Sequence, residues 1–319
     1  MKKKPNIAIF TEGEYSGKIP RNHPNRRTDL CWQIALDSTH HSIWNLQNIT
    51  EKYDLGICII PKKNIDKLSQ FSLGDNIHRI CKRVAFMMEG PNWFWEDYPL
   101  SEQIWYFNTL QEMDFLLCHN NTDVKYYRGL TGKRCYVMPS LMLTDNLVVS
   151  DTKKDAIMVG GNMTSWYSGM TSYLIARTMD LPIYIPSMGR RITGEEQLPN
   201  LQHLPYMEWN KWITALSKVK YAVHLMRIHA AGTFALNCAF LGIPCIGFRG
   251  LDTQDILHEE TTVELGDLEE AKHIAHYLLT QPEFYKQCSE NAKENYKIYY
   301  SEKVFLEHTN EIFEKELEN

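Results

Sequence analysis

Short apolar runs alternate with polar or amphipathic stretches along nearly the whole chain. Residues 6–11 (NIAIFT) form such a run and end in Glu12-Gly13, which predicts a buried strand followed by a turn. After a polar loop over residues 13–27, Thr28-Asp29 opens a helix with Leu30, Cys31, Ile34 and Ala35 on one face. Residues 41–46 read as a short strand, 53–61 and 83–88 as buried strands, and 101–111 as a helix. Residues 114–118 read as a strand, 123–128 as the start of a helix and 134–138 as a further strand.

The same rhythm restarts in the second half. Residues 156–159 form a strand that ends in Gly160-Gly161-Asn162, and a helix follows through Ile175. Strands are expected at 182–185, 221–226 and 244–247, and helices at 233–241 and 269–279. Trp209, Trp212, Ile213 and Leu216 have helical spacing, and residues 283–318 read as a charged helical tail. Strands alternating with helices twice over predict an α/β protein of two Rossmann-like, doubly wound parallel-sheet domains facing a central cleft. The polar stretch 143–154 separates them. This gives residues 1–148 as the first domain, 149–295 as the second, and 296–319 as a helix crossing back to the first.

The length of 319 residues suits two domains. With 44% hydrophobic and 23% charged residues the composition is that of a globular protein. No apolar stretch reaches membrane-spanning length, and the lysines of Met1-Lys2-Lys3-Lys4 precede too short an apolar run for a signal peptide. A cytoplasmic location is therefore expected. The eight cysteines contain no C-x-x-C pair, which argues against a zinc knuckle or a redox pair. The net charge of −5 excludes a general nucleic-acid binder, although residues 1–150 hold 18 Lys/Arg against 16 Asp/Glu. H-E-x-x-H, P-loop and G-x-G-x-x-G motifs are all missing, so metal, NTPase and dinucleotide chemistry lack their signatures.

The most informative segment is 219–247, VKYAVHLMRIHAAGTFALNCAFLGIPCIG. A strand runs into a turn of small residues, then a helix, then Gly242-Ile243-Pro244 before the next strand. Free N–H groups at such a helix start can hold a phosphate, although the same pattern also serves as an ordinary packed strand–turn–helix. The segment resembles the donor-binding segment of GT-B glycosyltransferases, with His229 and Asn237 at the positions of the family's two glutamates. The resemblance implies that Asn237 bonds the nucleotide ribose, that His229 faces the sugar or phosphate, and that Gly232 and Thr233 offer N–H groups to the pyrophosphate. Gly160, Gly161 and Asn162 resemble the turn that opens the family's donor domain. The basic pair usual after that turn is missing, so neutralising the diphosphate would fall to Arg190, Arg191 or Arg227. The alternative reading is that these are solvated surface arginines.

In the first half, Lys18, Arg21, His23, Arg26 and Arg27 could hold an anionic acceptor or form a flexible basic loop. Glu89 follows a buried strand and precedes Trp93-Phe94-Trp95. A carboxylate there suits a general base for an acceptor hydroxyl, and Trp93 and Trp95 could stack a sugar or a base. Asp29 and Glu12 are the next candidates for the base, Asp29 doubling as a helix-start residue. His119 is a further polar residue at a strand end.

The expected function is transfer of a sugar from a nucleotide-sugar donor, a UDP-sugar foremost, to a hydroxyl acceptor. The acceptor would be a saccharide or a hydroxymethylated base in DNA, as in the DNA modification performed by phage glucosyltransferases of this fold. No further cofactor and no metal are required. The alternatives are a sugar-nucleotide 2-epimerase of the same architecture and a non-catalytic nucleotide-sugar binder.

Overall fold

The computed structural model describes residues 4–13, 15–60, 64–70, 72–88, 90–186 and 194–318. The chain divides into two compact units. Residues 1–23, 28–139 and 302–319 form the first, and 24–27 and 140–301 the second.

The first unit holds strands β1 (Ile7–Thr11), β2 (Thr39–Ser42), β3 (Tyr53–Ile60), β4 (Cys81–Met88), β5 (Phe115–Cys118) and β6 (Cys135–Val137). All pair in parallel, in the order β2-β1-β3-β4-β5-β6. Its first five helices are α1 (Thr28–Leu36), α2 (Ile65–Leu68), α3 (Leu73–His78), α4 (Leu100–Glu112) and α5 (Asn121–Thr131). Parallel strands covered on both faces must be apolar throughout, which is why β1 and most of β3 are buried along their length. Phe86 of β4 meets Tyr106 of α4 edge to face at 5.5 Å. α5 is fixed at both ends: Asn120 Oδ1 accepts from the Asp123 N–H at 2.8 Å, and Gly132 closes the helix in the left-handed region.

The second unit contains β7 (Lys154–Val159), α6 (Gly169–Arg177), β8 (Ile183–Pro186), β9 (Leu201–Leu204), α7 (Trp209–Leu216), β10 (Val219–His224) and α8 (Thr233–Phe240). It continues through β11 (Cys245–Phe248), α9 (Asp252–Leu257), β12 (Thr262–Val263), α10 (Leu268–Thr280) and α11 (Pro282–Asn295). The strands are again all parallel, in the order β12-β11-β10-β7-β8-β9. Ala156 and Met158 of β7 enter one hydrophobic layer while Ile157 and Val159 enter the other, so the sheet is packed on both faces.

After α11 the chain makes one π-helical turn, Tyr296–Tyr300, and Ser301 adopts an extended conformation. The last helix, α12 (Glu302–Glu318), belongs to the first unit. There the Tyr136 hydroxyl donates to Glu316 Oε1 at 2.6 Å, Arg134 pairs with Glu316 at 2.7 Å, and His308 Nε2 bonds the Val137 carbonyl at 2.8 Å.

The two doubly wound parallel sheets agree with the sequence pattern. Two local readings are corrected. The strand expected at 41–46 is β2, over Thr39–Ser42, because its register with β1 ends at Thr11 opposite Ser42. A 3-10 turn, Ile43–Asn48, follows and buries Ile43 and Leu46. The tail is two helices broken at Ser301, with α11 in one unit and α12 in the other.

Candidate functional site

Ligands of doubly wound sheets bind beyond the carboxyl ends of the strands, where the strand order reverses. In the second unit that point lies between β7 and β10. β7 ends in Gly160-Gly161-Asn162, and the Gly160 N–H donates to the Val223 carbonyl at 2.9 Å. A Cβ at Gly160 would stand 2.5 Å from His224 Cγ and 2.7 Å from Phe234 Cδ1. Only glycine therefore lets β10 and the first turn of α8 approach β7 this closely. Asn162 is buried, and its Oδ1 accepts from the Thr164 N–H at 3.0 Å and the Thr164 hydroxyl at 2.6 Å.

The loop from β10 to α8 carries Arg227, His229 and Gly232. Arg227 is exposed and has no ion pair or hydrogen bond among the described residues. His229 is half-buried, with its Nε2 over Gly250. Gly232 has φ +67°, and its carbonyl accepts from the Thr253 hydroxyl at 3.1 Å. That left-handed turn starts α8 at Thr233 and leaves the first N–H groups of the helix without intrahelical partners. Asn237 lies one turn on, 5% exposed. Lys153 Nζ donates to the Leu241 and Gly242 carbonyls at 2.9 and 2.7 Å and closes the other end of α8. Burial lowers Lys153 to a pKa of about 8. Gly160, Gly161, Asn162, Arg227, His229, Gly232, Thr233 and Asn237 thus all lie in one unit, around the carboxyl ends of β7 and β10. Arg190 and Arg191 lie outside the described residues.

Lys18 and Arg21 of the first unit and Arg26 and Arg27 of the second are engaged. Lys18 pairs with Asp37 at 2.7 Å, and Arg21 holds both Glu302 carboxylate oxygens at 2.8 and 2.5 Å. Arg26 belongs to the second unit and is 1% exposed. It donates to the Asp145 carbonyl at 2.7 Å and to Asn210 Oδ1 at 3.2 Å, with its guanidinium 5.4 Å from the Trp209 ring centre. Arg27 donates to the Met207 carbonyl at 2.9 Å and lies over Tyr206. Trp93 is exposed, whereas Trp95 stacks on Tyr106 at 5.5 Å against the core. Glu12 is exposed beyond β1. Asp29 sits in the first turn of α1 and accepts from Gln33 at 3.4 Å. His119 lies beside Trp32, ring centres 5.4 Å apart. Glu89 lies outside the described residues.

Three side chains at strand ends had no signal in the sequence. His224 closes β10 against Phe234 and Tyr167, and burial lowers its pKa to about 4, so it is neutral at pH 7. At the end of β1, Thr11 Oγ1 meets His40 Nε2 at 2.8 Å, and His40 Nδ1 meets the Tyr15 carbonyl at 2.6 Å. Thr11 and His40 are far apart in the chain, and only the β1–β2 register joins them. Among the described residues no group of three or more metal-ligating side chains occurs, and no helix is long and apolar enough to cross a membrane.

No protein-family description and no curated protein sequence matches the chain. Solved structures do. Anabaena HepE in complex with UDP-glucose superposes with a TM-score of 0.69 at 8% identity, over 98% of this chain and 100% of that one. Sucrose-phosphate synthase from Thermosynechococcus elongatus gives 0.65 at 11% identity, over 82% and 73%. TarM gives 0.64 at 10% identity, over 85% of this chain; the match spans 57% of TarM. At these identities the likeness establishes the fold: α/β with two parallel six-stranded sheets, as in GT-B glycosyltransferase structures.

Proposed function

We propose that the protein is a glycosyltransferase that binds a nucleotide sugar, a UDP-sugar foremost, on its second unit and a hydroxyl acceptor on its first. The observation that carries this reading is the set of groups that follow the carboxyl ends of β7 and β10. A glycine turn, an Arg227 without an ion pair among the described residues, the free N–H groups of α8 and buried Asn237 lie on the segments that follow β7 and β10, and groups of this chemistry suit a nucleotide diphosphate. HepE of the same fold is crystallised with UDP and with UDP-glucose, which supports a uridine nucleotide.

In this reading the first turn of α8 and Arg227 stabilise the diphosphate as it departs, where negative charge develops. Asn237 holds the ribose, and His229 faces the sugar or the phosphates. For the acceptor, the internal pairing of Lys18, Arg21, Arg26 and Arg27 favours a neutral saccharide over DNA. A DNA backbone would need those cations free for its phosphates. Exposed Trp93 offers a face on which a sugar ring can stack.

The test is thermal unfolding against nucleotides and nucleotide sugars, followed by UDP release from UDP-glucose. A ligand at a hundred times its Kd should add about 2.7 kcal/mol to stability. Arg227→Ala and Asn237→Ala should each weaken UDP binding by about tenfold, the loss of one charge-assisted or buried hydrogen bond. Isomerised donor would point to a 2-epimerase, and binding without turnover to a non-catalytic binder. No shift with any nucleotide would overturn the reading.

A further inference from the structure

Between α3 and α4 of the first unit lies an open groove of about 310 Å³, at the lower end of the range for ligand sites, about 300 Å³. Its shape follows from helix spacing. Ile104, Trp105, Asn108 and Glu112 recur at three- and four-residue intervals and share one face of α4 with Ser101. At 1.5 Å per residue, the face from Ser101 to Glu112 runs about 16 Å. Leu73 of α3 and Thr109 of α4 also line the groove and are buried, whereas Ile104 is 55% exposed and Asn108 and Glu112 are exposed. The groove is therefore open to solvent along its polar side.

Gly74 makes room for the one carboxylate. A Cβ there would stand 3.1 Å from Glu112 Cδ and would collide with Glu112 Oε2, so the carboxylate lies directly against the backbone of α3. Neither that carboxylate nor the Asn108 amide has a hydrogen bond or ion pair among the described residues. The Ser72 hydroxyl donates to Asp75 Oδ2 at 2.6 Å, which leaves its oxygen as an acceptor.

This lining selects a class of ligand. No Lys, Arg or His among the described residues lines the groove, and its one charge is negative, which disfavours an anion. A single carboxylate is too few ligands for a metal ion. Polar side chains along the whole length do not suit a lipid tail. A flat indole beside an amide, a carboxylate and hydroxyls suits a sugar, whose C–H face is apolar and whose rim is hydroxyl groups.

We propose that the groove between α3 and α4 is a binding site for a neutral oligosaccharide, built entirely from the first unit. Trp105 takes the C–H face of one ring, Asn108 gives and accepts hydrogen bonds, and Glu112 accepts from the hydroxyls of the next. Its span along α4 exceeds a single ring, so the ligand is an oligosaccharide. The site depends on its own side chains and not on nucleotide-sugar binding, so either can fail without the other.

The experiment is a ligand-observed NMR titration of the full chain at pH 7 with cellohexaose, maltohexaose and a sulfated heparin hexasaccharide. At least one neutral hexasaccharide should bind with a Kd of about 1 mM, as expected of a shallow site with few contacts. Trp105→Leu keeps an apolar contact with the core and removes the ring. That variant, and a second carrying Asn108→Ala with Glu112→Ala, should each weaken binding by at least about tenfold. Asn108 and Glu112 are exposed, so the double variant should keep the wild-type melting temperature and its response to UDP. Failure of both neutral hexasaccharides to bind, tighter binding of the sulfated one, or wild-type affinity in either variant overturns the site. A wild type that binds a neutral hexasaccharide, loses it in both variants and binds no nucleotide supports the groove while removing the transferase.

Discussion

Gly160 shows how one missing side chain sets how closely β7, β10 and the start of α8 pack. An added Cβ would meet the rings of His224 and Phe234, both buried and neither able to swing aside as a flexible chain could. Gly160→Ala should cost about 1–3 kcal/mol of stability, the usual toll of overpacking. It should also push the start of α8 away from β7 and weaken UDP binding by more than about tenfold, if a diphosphate bridges the two as proposed. Calorimetric titration with UDP, set beside a urea unfolding curve, separates the two effects. Wild-type UDP affinity in a folded Gly160→Ala protein would place the nucleotide elsewhere. The sequence made Gly160, Gly232 and Asn237 legible because small residues beside a strand end are a local pattern. It could not show Thr11 with His40, or His224 beneath Gly160, because those contacts follow from strand register and from what packs on a sheet face.

Among the elements, α12 is held to the first unit by few but specific contacts. Glu316 is buried, accepts a hydrogen bond from Tyr136 and forms an ion pair with Arg134, while Phe305, Ile312 and Phe313 are buried on the same helix. Glu316→Ala leaves the Tyr136 hydroxyl unsatisfied, whereas Arg134 is half-exposed and regains water. The cost should be about 2 kcal/mol in chemical unfolding of the first unit, and Glu316→Gln, which still accepts from Tyr136, should recover about half. Equal stability of wild type and Glu316→Ala would mean that the apolar contacts alone seat the helix. The tail was legible as helical from its composition but not as two helices in two units. The break falls at Ser301, a residue with no breaking signal of its own, and follows from the packing on either side. Likewise α2, α3, α9 and β9 are too short for periodicity to announce. The long buried strands and α4 were plain, since their apolar runs are long enough to fix element and length together.

At the scale of the whole molecule, the units differ in how they should respond to acid. The second unit buries two neutral imidazoles, His224 and His258, each with its pKa lowered to about 4 by burial. His258 Nε2 also bonds the Ala235 carbonyl at 2.9 Å, in the first turn of α8. A histidine whose folded pKa lies below its unfolded value of about 6.5 supports the fold fully only above that value. As pH falls from 6.5 toward 4 the unfolded chain binds protons that the folded unit refuses, and stability drops. At pH 5 each imidazole should have removed about 2 kcal/mol. The first unit carries His40, buried, and His41, partly buried; both pKa values are lowered by burial, but the Tyr15 carbonyl opposes the lowering at His40 and the Glu51 charge opposes it at His41, so this unit should lose less. Hydrogen exchange read peptide by peptide between pH 7 and 5 should therefore show β10, α8 and β11 losing protection before β1, β3 and β4. Within the second unit the loss should begin at α8, because protonating His258 puts a charge beside a helix start that already carries positive potential. Phenylalanine at His224 removes one titrating group and keeps an aromatic ring between Tyr167 and Phe234. That variant should flatten the acid slope by one proton without lowering stability at pH 7 by more than about 1 kcal/mol, as for a near-isosteric core replacement. An unchanged slope in that variant would mean that His224 is solvated enough to protonate in the folded protein, and that water reaches the packing beneath Gly160.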